Sequence, residues 1–327
     1  MSVFVPILKK NGLLERIHMT VCNVGSRKLD LNDDYATQGW GIFAPNLSIY
    51  GFDADADACD VANADLEERQ VNWTEKHIPI ALGKAAEERT LYVTRHPMCS
   101  SLYPPNEPYL ARMAGLPELV NLDFSFEVDT ITLDQFCQEE QVNEIDFLQI
   151  DVQGADLDVL TGAINILNRG TTAIQIEVEF SQLYIGQPLF ADVDSFLRQN
   201  DFTLFDVSKS YGLRARSPIR STVRGGQLLW GDAFYFRDLM RDDMSEQFKS
   251  PDKLLKLACI ADILNFPDYA LEVLEYLTLQ YGSNPDYNFA DSILESLASF
   301  PDLVESGLSS LPIVQNIRQF ASKEVGL

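Results

Sequence analysis

The sequence predicts an α/β fold built on a parallel sheet, followed by a small all-α region, on three observations. Two short apolar runs, Leu47 to Phe52 before Asp53 and Phe147 to Ile150 before Asp151, are each followed by a helical pattern, as in βαβ units. The run Ala173 to Phe180 sets Ile174, Ile176, Val178 and Phe180 on one face and Gln175, Glu177 and Glu179 on the other. Beyond about residue 243 the apolar period turns helical throughout.

Taken in order, His18 to Val24 is the first strand, closing on Gly25 and Ser26. After the strand ending at Asp53 comes a helix whose Ala58, Val61, Ala62 and Leu66 are spaced to bury one face. A third strand lies within Trp73 to Leu82, and a pair follows around Thr90 to Thr94. Residues 95 to 125 are rich in Pro, Ser and Asn, a long loop of the kind that covers a site as a lid. Thr130 to Asp134 opens a helix, and the strand ending at Asp151 follows. A helix then starts beyond Gly154 with Leu157, Leu160, Ile164 and Leu167 on one stripe. After the strand from Ala173 come a helix over Pro188 to Asn200 and a strand over Leu204 to Val207. Gln227 to Phe236 is the last strand, bulged at Gly231. In the helical tail Phe266-Pro-Asp268 recurs as Phe300-Pro-Asp302, 34 residues on, the period of tetratricopeptide hairpins. The boundary this suggests divides the chain into 1–242 and 243–327. The surplus apolar residues Leu255, Ile260 and Ile263 predict that the tail caps the first region or forms a dimer element.

The 327 residues carry a formal net charge of −24, which argues against binding nucleic acid or an anionic membrane. Cys22, Cys59, Cys99, Cys137 and Cys259 are odd in number and scattered, as expected of reduced thiols in a cytoplasmic protein without a zinc site. No secretory leader or membrane-length apolar run is read from the sequence, so a soluble protein is expected.

Ligands of parallel α/β sheets sit outside the carboxyl ends of the strands. There Asp53 is placed to accept from ribose hydroxyls, and Asp151 to face the reactive end of a nucleotide-like cofactor. Carboxylates on a buried sheet face cost several kcal/mol, roughly, unless paired or facing a ligand. Gln149, Gln175 and Glu177 fit a polar ladder, whereas Asp151 and Glu179 at strand ends fit a site. The loop from Gly25 to Asp30 has a single glycine, which does not support pyrophosphate cradling. S-adenosylmethionine, lacking phosphates, does not need that cradle.

Ile49 to Asp55, Pro79 to Gly83, Val128 to Asp134, Asp146 to Leu160 and Glu177 to Phe190 occur in the order of the FkbM family of S-adenosylmethionine-dependent methyltransferases. Residues 18 to 238 resemble that family. The resemblance implies a Rossmann-like class I methyltransferase sheet, mostly parallel with one antiparallel strand. It implies that Asn23, Gly25 and Ser26 pass under the methionine part of S-adenosyl-L-methionine. Asp53 would bind the ribose, Ala81 and Leu82 would flank the adenine, and Asp151 would lie near the transferred methyl. The family usually has an acid at Asn23 and often a second glycine near Lys28.

Methyl transfer to a hydroxyl benefits from a general base, for which Asp151, Glu179 and His96 are candidates. Lys209, Arg214, Arg216, Arg220 and Arg224 form a basic stretch, read either as a solvated loop or as a clamp for an anionic acceptor. Ser100 and Ser101 are candidates for ordering the acceptor, with Arg214 and Arg220. His77 reads as a satisfied core or surface histidine, and His18 carries no functional signal. The leading expectation is an O-methyltransferase for a sugar or other hydroxylated metabolite, the acceptor class coming from the resemblance alone. The alternatives are a methyltransferase-fold scaffold acting through its tail, or a nicotinamide dehydrogenase. The expected partners are a small-molecule or glycan acceptor and a second copy or another protein at the tail.

Overall fold

The computed structural model describes residues 2–28 and 39–322. Eleven strands are present among them: β1 Met19–Val24, β2 Leu47–Phe52, β3 Thr74–Ile78, β4 Ala81–Leu82, β5 Glu87–Thr94, β6 Leu122–Ile131, β7 Phe147–Ile150, β8 Ala173–Glu179, β9 Thr203–Val207, β10 Ser210–Gly212 and β11 Gln227–Phe236. The main sheet runs β10-β11-β8-β7-β1-β2-β3, with β9 also paired to β11. The five strands from β8 to β3 are mutually parallel, and β11 is antiparallel to β8. Chain order reverses direction between β1 and β7, so the ends of β1, β2 and β7 border one crevice. A second sheet, β4-β6-β5, inserted before β7, is a long antiparallel β5–β6 ribbon with the short β4 parallel to β6.

Alternation divides the main sheet cleanly. One face presents Cys22, Val24, Phe52, Leu148, Ile150, Ile174, Ile176 and Val178 to helices of the α/β units. On the other face Met19, Val21, Leu47, Ile49, Phe147 and Ala173 form a core with the C-terminal helices. Toward the strand ends that second face turns polar, with Asn23, Gln149 and Gln175 in register across β1, β7 and β8.

The tail contributes helices Pro251–Ile263, Pro267–Tyr281, Ala290–Leu297, Pro301–Glu305 and Pro312–Ile317. Pro251–Ile263 is buried on nearly every side, which explains the surplus apolar residues of the sequence. The Phe-Pro-Asp recurrence begins helices in both places, but of 15 and 5 residues, so the second copy does not rebuild the first. Polar staples join the tail to the sheet. Lys256 Nζ reaches both oxygens of buried Asp146 at 2.9 Å, just before β7, and Asp146 also accepts the Thr20 amide at 2.8 Å. Asp262 accepts the amides of Val3, Phe4 and Val5, each at 2.8 Å, so its carboxylate caps the helix Val5–Lys10 at the other end of the chain. Arg237 is sandwiched between the rings of Phe202 and Phe248 at 4.4 and 4.3 Å, donating to the carbonyls of Thr171 and Leu167. Burial holds its pKa down to about 10.

The structure departs from several expectations. Val61 is 72% exposed, and Cys59 takes its place in the buried stripe with Ala62 and Leu66. The helix beyond Gly154 is two pieces, Asp156–Thr161 and Ile164–Arg169, parted at Gly162, where a Cβ would lie 2.2 Å from the Gly83 carbonyl oxygen. Gly231 sits in unbroken register with Val178; its requirement is the close Ser208 carbonyl, 2.0 Å from where a Cβ would be. The bulges of β11 fall instead in its pairings with β9 and β10. Residues 95 to 125 are not an open loop. They contain short helices Glu107–Leu110 and Leu116–Val120 and the start of β6, pinned by the bridges Tyr92–Ser101, Pro105–Tyr184 and Met113–Arg214. That makes them a fixed wall, not a lid.

Candidate active site

The loop after β1 is built by backbone constraint. Gly25 and Ser26 amides both donate to the Phe52 carbonyl at the end of β2, at 2.8 and 2.9 Å. The Asp151 amide donates to the Val24 carbonyl at 2.9 Å, which brings the end of β7 against the same turn. Gly25 has φ +87°, and a Cβ there would fall 1.9 Å from the Asp151 carbonyl oxygen. Only glycine fits. Below this turn, Ser26 Oγ contacts His77 Nδ1 at 3.1 Å, and His77 Nε2 donates to Glu75 at 3.2 Å. Lys28 Nζ and Trp73 Nε1 also donate to Glu75, each at 2.8 Å. Burial alone would raise the Glu75 pKa, but the bonds from His77, Lys28 and Trp73 override it and hold the carboxyl down to about 2. Lys28, near which the resembling family often has a second glycine, thus ties the turn to β3. His77 is a buried, hydrogen-bonded histidine, the core one of the two alternatives that its mid-strand position suggested. Leu29 and Asp30, the last residues of that loop, lie outside the described residues.

Above the strand ends lies a cleft of about 670 Å³, within the usual range for small-molecule sites. Its floor includes Gly25, Asp53 and Asp151, and Ala81 and Leu82 stand on one wall. Asp53 Oδ1 accepts the Asp55 amide at 2.8 Å, which holds the carboxylate at the strand end. Burial raises the Asp53 pKa, with the nearby Arg27 guanidinium acting against it. Asp55 caps the helix Ala56–Arg69 through the amides of Asp57 and Ala58 and pairs with Arg27. The far wall is the β5–β6 ribbon with Ser100 and Ser101. Ser101 is spoken for structurally: its Oγ donates to the Gln153 carbonyl at 2.6 Å and accepts the Tyr103 amide at 3.0 Å.

Behind Asp151 stands an acidic cluster. Gln153, held at φ +55°, donates from Nε2 to Asp151 Oδ1 and to Glu177 Oε2, both at 2.7 Å. Its amide oxygen lies 3.0 Å from the Tyr184 hydroxyl. Asp156 accepts the amides of Val152 and Gly154 at 3.0 and 2.9 Å. Burial raises the pKa of Asp151, Asp156, Glu177 and Glu179, and the charge of Asp151 pushes the other three further. Asp156 reaches about 7, because burial and Asp151 outweigh its two amide donors. Burial and mutual repulsion thus disfavour charge on Glu177 and Glu179, and Asp151 is the member of this cluster that lines the cleft. Since the folded Asp156 binds its proton up to a higher pH than the unfolded chain does, the fold binds more protons across pH 4 to 7. Stability should then fall by about 2–4 kcal/mol as pH rises through that window. Urea denaturation at several pH values checks this, with the slope flattened in Asp156→Asn.

The cleft gathers Gly25, Asp53, Ala81, Leu82, Ser100, Ser101 and Asp151. The other candidates lie elsewhere. Asn23 is buried on the polar sheet face beneath the turn, its Oδ1 without a hydrogen-bond partner among the described residues. Ser26 is buried against His77. Glu179 is buried outside the cleft lining, and the carboxyl that touches the Asp151 network is Glu177, one pleat earlier on β8. His96 does not line the cleft; its backbone closes the wall by donating to Leu119. Arg214 and Arg220 border a separate cavity with Arg224, and Arg214 is engaged with Gln227. Residues that the sequence reading missed are Arg27, Asp55, Gln153, Tyr184 and the ribbon's Phe124 and Phe126. Asp55 alone had a local signal, as an Asp opening a helical pattern.

This sheet order, with one antiparallel strand beside β8, is that of the class I methyltransferase fold. Comparison with known proteins agrees: residues 45–204, just under half of the chain, match the family described as Methyltransferase FkbM domain. That segment is thus similar to a family that uses S-adenosyl-L-methionine. The chain is 40% identical over 76 residues to the 2-O-methyltransferase NoeI of Sinorhizobium fredii (strain NBRC 101917 / NGR234), 23% of this chain and 31% of that protein. Among solved structures it is similar to Methyltransferase FkbM from Methylobacillus flagellatus KT (12% identity, 67% of this chain and 43% of that one, TM-score 0.39). Another is magnesium protoporphyrin IX methyltransferase from Synechocystis PCC 6803 (12% identity, 71% and 76%, TM-score 0.34). The chain thus spans under a third of the curated relative's length.

Proposed function

We propose that the chain is an S-adenosylmethionine-dependent O-methyltransferase acting on a hydroxylated small molecule. The observation that carries this reading is the meeting of Asp53 and Asp151, from neighbouring βαβ units, on the floor of one cleft within the matched domain. The residues present fit the cofactor. The lining holds Asp53, Asp55, Asp57, Asp123 and Asp151 against Arg27 and Arg95, so the cleft favours a cation. Ile80, Leu82 and Phe52 supply an apolar wall for a flat base. Bound there, S-adenosylmethionine supplies an electrophilic methyl group on a sulfonium. Asp53 holds the ribose hydroxyls, and Asp151 orients the acceptor hydroxyl and takes its proton. Gln153 keeps the Asp151 carboxylate aimed, and the burial that raises its pKa improves it as a base. The resemblance to a 2-O-methyltransferase supports oxygen as the accepting atom.

Titration calorimetry with S-adenosylhomocysteine tests the assignment. Asp53→Ala should bind about 10- to 150-fold more weakly, the loss of a charge-assisted hydrogen-bonding pair worth about 1.5–3 kcal/mol. Equal affinity in parent and variant would remove Asp53 from the cofactor site. No binding by the parent would favour the scaffold reading.

A further inference from the structure

The ribbon wall of the cleft is apolar on one side and only half covered. The β5–β6 register sets Leu91 opposite Phe126 and Val93 opposite Phe124, so alternation puts all four on one face, and all four line the cleft. Phe124 is 53% exposed and Phe126 45%. Their rings stack nearly parallel, 6.1 Å apart at 21°, as one aromatic pair. The register then shifts, Thr94 pairing with Leu122 and leaving Asp123 as the extra residue. Such a bulge re-aims side chains, and Asp123 joins Phe124 in lining the cleft. Contiguous apolar surface beside a pocket marks a binding surface.

Its chemistry narrows the occupant. Leu91, Val93, Phe124 and Phe126, with Met98 beside them, offer no hydrogen-bonding side-chain group to sugar hydroxyls, which would lose water against them without compensation. With Arg27 engaged by Asp55, the lining sets Asp53, Asp57, Asp123 and Asp151 against Arg95, a balance that opposes an anionic acceptor. The basic stretch at Arg214 and Arg220, which suggested an anionic acceptor, belongs to another cavity. We infer that the ribbon face is an acceptor subsite for an uncharged amphiphile, whose hydroxyl lies at Asp151 while its hydrocarbon portion lies along Phe124 and Phe126. This inference rests on the methyltransferase reading of the cleft.

The full chain, saturated with S-adenosylhomocysteine, is titrated with n-dodecyl-β-D-maltoside below its micelle concentration, with maltose and with dodecanoate. The dodecyl glycoside should bind one to one, and maltose and dodecanoate each at least tenfold more weakly. Phe124→Ser and Phe126→Ser should each weaken the glycoside at least threefold while leaving S-adenosylhomocysteine affinity and melting temperature unchanged. No saturable glycoside binding, equal binding of maltose or dodecanoate, or unaltered binding by both variants would overturn the subsite. So would a sedimenting dimer of the parent that Phe124→Ser dissociates, which would make the ribbon a contact between copies. Loss of S-adenosylhomocysteine binding itself would instead sink the cofactor reading, which separates the two failures.

Discussion

A fragment ending at Arg241 should yield no soluble, cooperatively folded protein. Its loss would uncover Met19, Val21, Leu47, Ile49, Phe147 and Phe236, which share one core with Leu254, Leu257, Ala261 and Val273. At roughly 1.5–3 kcal/mol for each large side chain returned to water, the loss exceeds the 5–15 kcal/mol margin of an ordinary domain. Polar groups compound it: Asp146 would be buried without Lys256, and three amides at the N-terminus would lose Asp262. Size-exclusion chromatography and circular dichroism of the fragment are the measurements. A monomeric fragment with parental melting temperature and undiminished S-adenosylhomocysteine affinity would show the tail to be an independent module, as the boundary at residue 242 suggests.

The second large effect is expected at a position with no side chain. Gly25→Ala places a methyl group 1.9 Å from the Asp151 carbonyl oxygen at a backbone φ of +87°. The left-handed conformation costs about 1–2 kcal/mol for a non-glycine residue, and relief of the clash must move Asp151 or the turn. Since both border the cleft floor, the variant should lose about 2–4 kcal/mol of stability and at least tenfold in S-adenosylhomocysteine affinity. Chemical denaturation and calorimetry read the two separately. Gly12→Ala is the control, since nothing lies within 4 Å of a Cβ there despite its φ of +74°. If Gly25→Ala matches that control in both measurements, the turn is not the hinge of the site.

Much of the architecture was legible because it is written in local periodicity. The apolar runs ending at Asp53 and Asp151 had to be buried strands, and an acid just beyond each had to reach the ligand edge of a parallel sheet. Alternation along β8 likewise announced a polar sheet face, and the tail's surplus apolar residues announced a docked helix. The strand β6 was missed although Leu122, Phe124, Phe126 and Val128 alternate with Asp123, Ser125, Glu127 and Asp129, since the segment was divided between a loop and a helix start. Its residues are largely exposed and its partner β5 lies well back along the chain, a pairing that no single segment records.

The sequence by itself determined the α/β order, the positions of Asp53 and Asp151 and the helical character of the tail, because each follows from the identity and spacing of near neighbours. Tertiary structure alone decided that Glu177 and not Glu179 joins Asp151 through Gln153, since one pleat along β8 separates a carboxyl at the network from one sealed beside it. It alone withdrew His96, Arg214 and Arg220 from the cleft, turned residues 95–125 from a lid into a wall, and aimed Phe124 and Phe126 at the cleft mouth. The physical reason is common to all of these. Which side chains meet across a site depends on strand register and on loops returning from distant parts of the chain, and neither is encoded in any one segment.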